Sequence, residues 1–486
     1  MYYRSKLIKI TFLLLCSFMM VFPVIGQQVS LRGIVVDAET GEGLAHANLV
    51  LVRQSKLAVG NSQGAFSFML PSDVRETDTL RVSFMGYESR IYQVGDLKKD
   101  SNLQIRLQKT EKVLNAAIVL GYPVKDLMKK FLENMSNTFY PDPLEFDVFY
   151  QEVIEEDGRY VGFARAVGYM HYAGYDPSFF ENNKNFSDGE VHYNTFYQVQ
   201  KSDYHVLHSF SGSGRNAVNW WIASEPFLYF GLNPNWFDYT LEGEDIIHDR
   251  PVYVLSFRAA SKAFDRDIKK WGRSHKKKLQ QGKFYIDQID YGLHRMSLKW
   301  ENLDQETKMS ESRRYKYLPI DESMNAYFRR DEDGRYLFSY VNYSASAIGY
   351  GYEGEGFHEG KLMKEFAELY AIESYPVALS YEELRSRYSY GLRGKAPYYT
   401  LNYVPDLYNG WIFLPGRSTY NPKFWENATF PPLPNEQKVL SDLSQHRPLS
   451  EQFADYSNIQ LYIISELKRR HKLSNDYWNL KEIQIY

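Results

Sequence analysis

From Val29 to Leu107 apolar residues recur at every second position in short runs separated by turn residues: LRGIVVDAETGEGLAHANLVLV, NSQGAFSFMLP, DTLRVSFMGYES and LQIRL. A period of two puts alternate side chains on one face of a strand, and closely spaced turns fold each strand back on its neighbour. An antiparallel sandwich is expected, with Ile34, Val36, Leu49, Leu51, Phe66, Phe68, Leu80, Val82 and Phe84 on its inner face. Gly41, Gly43 and Gly64 supply the positive φ that its turns need.

The period changes at Val124. Val124, Leu127, Met128, Phe131, Leu132 and Met135 follow helical spacing, which predicts one amphipathic helix. Alternation returns from about Phe146 to Tyr375, with segments Val252 to Phe257, Lys283 to Ile289 and Leu293 to Trp300 as its clearest runs. D-G-R-Y occurs at 157–160 and 333–336, and an Asp-Gly pair between alternating runs predicts a hairpin. Past residue 430 the texture is helical: Asn435 can cap a helix to about Leu443, and Ser450 another containing Phe453, Ile459, Ile463 and Leu467. The chain is therefore expected to be mainly β. Its units are a β-sandwich at 27–110, a linking strand and helix at 111–144, a large antiparallel β-rich domain at 145–430 and a helical tail at 431–486.

Residues 1–26 differ from all of this. Arg4, Lys6 and Lys9 precede an apolar run from Ile10 to Phe22, then Pro23 and a V-I-G ending, the order of a cleaved export signal. The run is shorter than the roughly 20 residues of a bilayer span, so cleavage rather than anchoring is expected. The single cysteine, Cys16, lies within it, and Leu15 before it disfavours a lipoprotein. The mature product would have no thiol, which removes disulfides, thiolate nucleophiles and Cys metal sites together. No later stretch is long and apolar enough for a transmembrane helix. The expected location is the periplasm or the outer-membrane and cell surface.

Composition narrows the function classes. With 57 Lys and Arg against 60 Asp and Glu, the net charge of −3 gives no general field to attract a nucleic-acid backbone. Aromatic residues make up 16% of the 486, enough for extensive cores and against bulk disorder.

The strings GIVVDAETGEGLAHANLV, SQGAFSF and LRVSFMGYE resemble the carboxypeptidase-D regulatory-like domain, a seven-stranded, transthyretin-like and Ig-like sandwich at the N-terminus of exported Gram-negative envelope proteins. LNAAIVLGY at 114–122 is similar to the strand that joins this domain to a plug in TonB-dependent transporters, but only 364 residues remain after it, too few for a plug and a large barrel. NTFYPDPLEFDVFYQEV, YTLEGEDIIHDRPVYVLSF, GKFYIDQIDYGLHRM, YNPKFWEN and LSEQF resemble a group of exported proteins in which the sandwich precedes a β-rich domain. That resemblance implies a fold and an envelope location and carries no catalytic residues.

Motifs of catalysis are missing from the chain. No histidine has Glu three residues later, no H-E-x-x-H occurs, and Ser213 follows Ser211 where a G-x-S-x-G elbow needs glycine. His205 and His208 lie in an alternating segment that would splay them to opposite faces. Ser274 with Lys277, and Ser465 with Lys468, match S-x-x-K without its companion motifs. Gly349, Gly351 and Gly354 spell G-x-G-x-x-G, but Glu353 and Glu355 would repel a pyrophosphate, so a turn-rich loop is expected there. No metal and no cofactor is expected.

Two stretches suggest binding. Residues 219–239 are crowded with rings, among them Trp220, Trp221, Tyr229 and Trp236, which could stack on a glycan or an extended peptide, against the commoner outcome that bulky aromatics fill a core. Residues 266–283 hold eight Lys or Arg against one acid, including Lys276, Lys277 and Lys278, and either contact an anionic surface polymer or form a solvated loop. The expectation is a non-enzymatic cell-envelope binding or assembly protein, with envelope proteins, a glycan or an anionic polymer as partners and no nucleic acid. A hydrolase with dispersed catalytic residues and a small outer-membrane barrel are the alternatives.

Overall fold

The computed structural model describes residues 30–53, 56–71, 73–84, 86–100, 102–109, 123–140, 144–172, 192–202, 237–247, 250–259, 278–302, 310–311, 315–331, 333–353, 356–357, 360–376, 420–427 and 430–454. Seven strands form the N-terminal sandwich. One sheet has the order β4 (Ala65–Met69), β1 (Ser30–Asp37), β7 (Leu103–Leu107), with β1 and β7 parallel. The other has the order β3 (Lys56–Val59), β2 (Asn48–Leu51), β5 (Thr79–Ser83), β6 (Arg90–Gln93), and a single turn of helix, α1 (Val94–Leu97), follows β6.

Between these sheets Leu31, Val35, Leu49, Leu51, Phe66, Phe68, Leu80 and Val82 are buried in one cluster. The inner face of β1 thus departs from expectation, because Val35 takes the core position while Ile34 is half-buried and Val36 is buried outside that cluster. Three successive β-branched residues leave the phase of a strand ambiguous, and here pairing with two neighbours decides it. Gly64 is required where it stands: its φ is +79°, and an added Cβ would press on the carbonyl oxygen of Val35.

The rest of the described chain is built on one antiparallel sheet. Its strands are β8 (Leu144–Glu156), β9 (Arg159–Tyr172), β10 (His192–Lys201), β11 (Phe237–Ile247), β12 (Arg250–Ala259), β13 (Lys278–Asp287), β14 (Leu293–Asn302), β16 (Tyr315–Arg330), β17 (Tyr336–Glu353) and β19 (Lys361–Pro376). They pair in the order β10-β9-β8-β19-β17-β16-β14-β13-β12-β11, with the short β15 (Ser310–Glu311) and β18 (Gly356–Phe357) attached to β16 and β17. Both D-G-R-Y segments are hairpin turns, with Asp157 at φ +47° and Gly158 at φ +83° between β8 and β9, and Gly334 at φ +84° between β16 and β17. Gly349 and Gly351 lie within β17, so this part of the glycine pattern is strand rather than the turn-rich loop expected.

A register row of apolar side chains crosses all ten paired strands: Val199, Ala166, Tyr150, Leu369, Val341, Ala326, Met296, Phe284, Leu255 and Leu241. Helix α2 (Val124–Thr138) covers this inner face. Leu127, Met128, Phe131 and Met135, spaced on one helical stripe, are buried in the same cluster as the row, and the ring of Phe131 lies 6.4 Å from that of Phe284. Burying the apolar stripe of a helix on a sheet removes both from water and supplies the main stabilisation here.

Three helices close the described chain: α3 (Pro422–Asn427), α4 (Glu436–Ser444) and α5 (Leu449–Ala454). Val439, Leu443 and Phe453 pack against Val153 and Phe163 on the opposite, outer face of the large sheet. Asn435 precedes α4 but does not cap it with its side chain; it is left-handed, at φ +56°, and its Oδ1 accepts from Gln63 Nε2 of the sandwich. Ser450 sits inside α5 rather than ahead of it, and Ile459, Ile463 and Leu467 lie outside the described residues. No helix among the described residues is long and apolar enough to cross a membrane.

Candidate functional site

The outer face of the large sheet carries a second transverse row with a different chemistry. Val167, Phe149, Tyr370, Tyr340, Tyr327, Arg295, Tyr285 and Val254 are register partners on eight consecutive strands. Ring centroids of Tyr370 and Tyr340 are 4.6 Å apart, those of Tyr340 and Tyr327 5.5 Å, and the Arg295 guanidinium lies over both Tyr327 (4.9 Å) and Tyr285 (5.3 Å). Such cation–ring contacts strengthen when water is removed.

The sandwich and the C-terminal segment share this face. Val59 of β3 and the partly buried Val50 of β2 join Phe149, Val167, Tyr327, Tyr340 and Tyr370 in one cluster, with Phe424, Trp425 and Phe430 packed beside them. Phe430 stacks on Phe149 at 4.2 Å with the rings nearly parallel. Pro432 fastens the two units by accepting, through its carbonyl oxygen, a 2.9 Å hydrogen bond from Asn61 Nδ2.

Polar groups within the seam form one ordered network. Arg295 Nη2 donates to Asn325 Oδ1 (3.3 Å), Asn325 Nδ2 to Asn342 Oδ1 (3.0 Å), and Asn342 Nδ2 to Tyr340 Oη (3.2 Å), with His46 Nε2 of the sandwich 3.1 Å away. Tyr340 Oη in turn donates to Glu368 Oε1 (2.7 Å), whose other oxygen accepts from Gln151 Nε2 (2.6 Å). Glu368 is wholly buried; burial pushes its carboxyl up, and the bonds from Tyr340 and Gln151 oppose that shift. His46 is left-handed, at φ +63°, and burial, then the charge of Arg295, pushes its imidazole down to about 4.

A second buried cluster staples the far end of the sheet. Asp287, at the end of β13, accepts from His294 Nε2 (2.9 Å), Tyr336 Oη (3.1 Å), Arg250 Nε and Nη2, and the Ile289 amide (2.8 Å). Burial pushes the Asp287 carboxyl up, but the bonds from His294, Arg250 and Ile289 outweigh it and hold the group well below the ordinary carboxylate range. Asp290 completes the cluster by pairing with Arg250 and Arg330. Both networks hold chain segments together: their donors and acceptors face one another inside the protein. Among the described residues no group of three or more His, Cys, Asp or Glu side chains is arranged to hold a metal.

Trp220, Trp221, Tyr229, Trp236, Lys276 and Lys277, together with His205 and His208, lie outside the described residues; Lys278 is the first residue of β13, paired with Asn302. The seam residues escaped notice because they form no motif. Their one signal is a polar residue beside a tyrosine on one strand face: Tyr340 and Asn342, and Glu368 and Tyr370, occupy alternate positions of their strands.

Residues 31–120 match the family model for the CarboxypepD_reg-like domain. The sandwich is a CarboxypepD_reg-like domain. The matched span runs through all seven strands and includes His46, Asn61 and Gln63, whose side chains are within hydrogen-bonding distance of the rest of the chain. Solved structures similar to the chain include an outer membrane lipoprotein-sorting protein domain from Vibrio parahaemolyticus (9% identity, 52% of this chain and 92% of that chain, TM-score 0.25). A DUF1329 family protein from Desulfovibrio piger (12%, 53% and 95%, TM-score 0.21) and a LolA superfamily protein from Nitrosomonas europaea (10%, 52% and 96%, TM-score 0.20) are also similar. No curated protein matches the chain.

Proposed function

We propose that this is a non-enzymatic binding or assembly protein of the cell envelope, in which the CarboxypepD_reg-like domain and the large sheet act as one docked unit. The observation that carries the proposal is the use of buried polar groups: Glu368, Asp287, His294 and Tyr336 are engaged with one another and with structural partners rather than directed at a substrate. An active site needs a group held within reach of a reacting atom, and a carboxylate buried behind Tyr340 and Gln151 has no such reach. The export-type N-terminus and the domain family support an envelope location. The rings of Trp220, Trp221, Tyr229 and Trp236 and the cations Lys276, Lys277 and Lys278 are the proposed contact residues for a glycan, an envelope protein or an anionic polymer.

The test is affinity capture from native envelope with the exported chain, read together with a glycan array and anionic liposomes. Retention that is lost on Trp220→Ala or Trp236→Ala without loss of thermal stability supports the proposal. Turnover of a peptide or glycan substrate by the purified chain overturns it.

A further inference from the structure

The polar chain across the seam has a fixed direction, and that direction reaches a titratable group. Arginine can only donate. Arg295 Nη2 therefore requires the oxygen of Asn325, which turns the Asn325 amide nitrogen towards Asn342 Oδ1, and this in turn presents Asn342 Nδ2 to His46 Nε2. At the end of such a chain His46 Nε2 has to accept, so its proton resides on Nδ1, which is 3.3 Å from the carbonyl oxygen of Gly60. Turning the two amides over does not rescue a protonated ring, because Asn325 would then face Arg295 donor to donor.

We propose that the seam is a proton-operated latch: the sandwich stays docked on the tyrosine row while His46 Nε2 is unprotonated, and protonation of that nitrogen releases it. The groups facing His46 are Arg295 from β14, Tyr327 from β16, Tyr340 and Asn342 from β17 and, behind Tyr340, Glu368 and Tyr370 from β19 with Gln151 from β8. A second cation there meets the charge of Arg295, and the carboxylate of Glu368 is separated from it by the Tyr340 hydroxyl, already donated to Glu368. Val59 and Val50 against the rings, and Asn61 on the Pro432 carbonyl, are further seam contacts and carry no charge. Acid acts on His46 at the contact itself and on Glu368, whose carboxyl burial pushes up, behind Tyr340, a distinction that replacing His46 draws.

The latch is tested on the full chain by distance measurement between spin labels at Ile91→Cys on β6 and Ile289→Cys beside β13, both well exposed (60% and 66%), with Cys16, the only native cysteine, changed to Ser. With His46 near 4 when docked and near 6.5 when released, the ratio of released to docked protein should rise about tenfold per pH unit across that interval, about 300-fold in all. His46→Asn keeps an acceptor and tolerates the left-handed backbone, and should remove the pH dependence. Imidazole nitrogen shifts should show Nε2 bare at neutral pH. The proposal is overturned by a protonated Nε2 at neutral pH, by an unchanged distance down to pH 4, by the same acid transition in His46→Asn, or by loss of the far-ultraviolet β signal at the same pH as the distance change.

Discussion

Asp287→Asn is the most informative single perturbation of the large sheet. The carboxylate has no exposed surface and receives both Arg250 bonds, the His294 and Tyr336 bonds and a backbone amide, so it anchors β12, β13, β14 and β17 at one point. An asparagine keeps the volume but puts an NH2 among donors and removes one of the two carboxylates paired with Arg250, leaving Asp290. Removing one partner of a buried, hydrogen-bonded ion pair costs about 3–5 kcal/mol. Tyr336→Phe, which deletes one hydroxyl from the same acceptor, should cost about 1 kcal/mol. Urea unfolding of the full chain followed by circular dichroism measures both. Because Asp287 is held below its ordinary range, its contribution is present at neutral pH and fades as pH falls through the acid range, so the gap to wild type should narrow on acidification. A loss under 1 kcal/mol for Asp287→Asn at pH 7, or a gap that widens in acid, would refute the account of this cluster as a charge-assisted staple.

Phe131→Ala should destabilise by about 3–5 kcal/mol in the same urea assay, since the ring is fully buried between α2 and the apolar row. Gly292→Ala should lower the melting temperature measured by calorimetry, because an added Cβ would enter the Tyr336 ring. Phe430→Ala should leave the sheet folded but make residues 420–454 more susceptible to limited proteolysis, as the stacking contact with Phe149 is lost.

Much of the local structure was legible because local rules govern it. The helical stripe from Val124 to Met135 appears as α2, extended to Thr138, and both Asp-Gly turns appear where a positive φ is needed. The sandwich was legible from turn spacing, although β1 slipped by one position where Ile34, Val35 and Val36 offer no polar contrast. What the chain did not disclose is which strand faces carry the two transverse rows. In β8 the run from Val148 to Ile154 is buried on both sides, with Val148 and Tyr150 inward and Phe149 outward, so alternation between apolar and polar is lost. The seam is still less visible: His46 and Asn342 are 296 positions apart, and a histidine in a loop with an asparagine in a strand has no spacing to betray it.

The position of β19 constrains how such a chain can be made. It lies between β8 and β17, yet among the described residues it is the last long strand to be synthesised, so the two halves of the sheet cannot join until residues 361–376 have emerged. Until then β8 and β17 each present an open hydrogen-bonding edge with apolar side chains on both faces, the condition in which strands pair with the wrong neighbour. A chain cut short before Lys361 should therefore accumulate as aggregate rather than as a smaller folded protein, and a chaperone that shields those edges during biogenesis would act on β8 and β17 first.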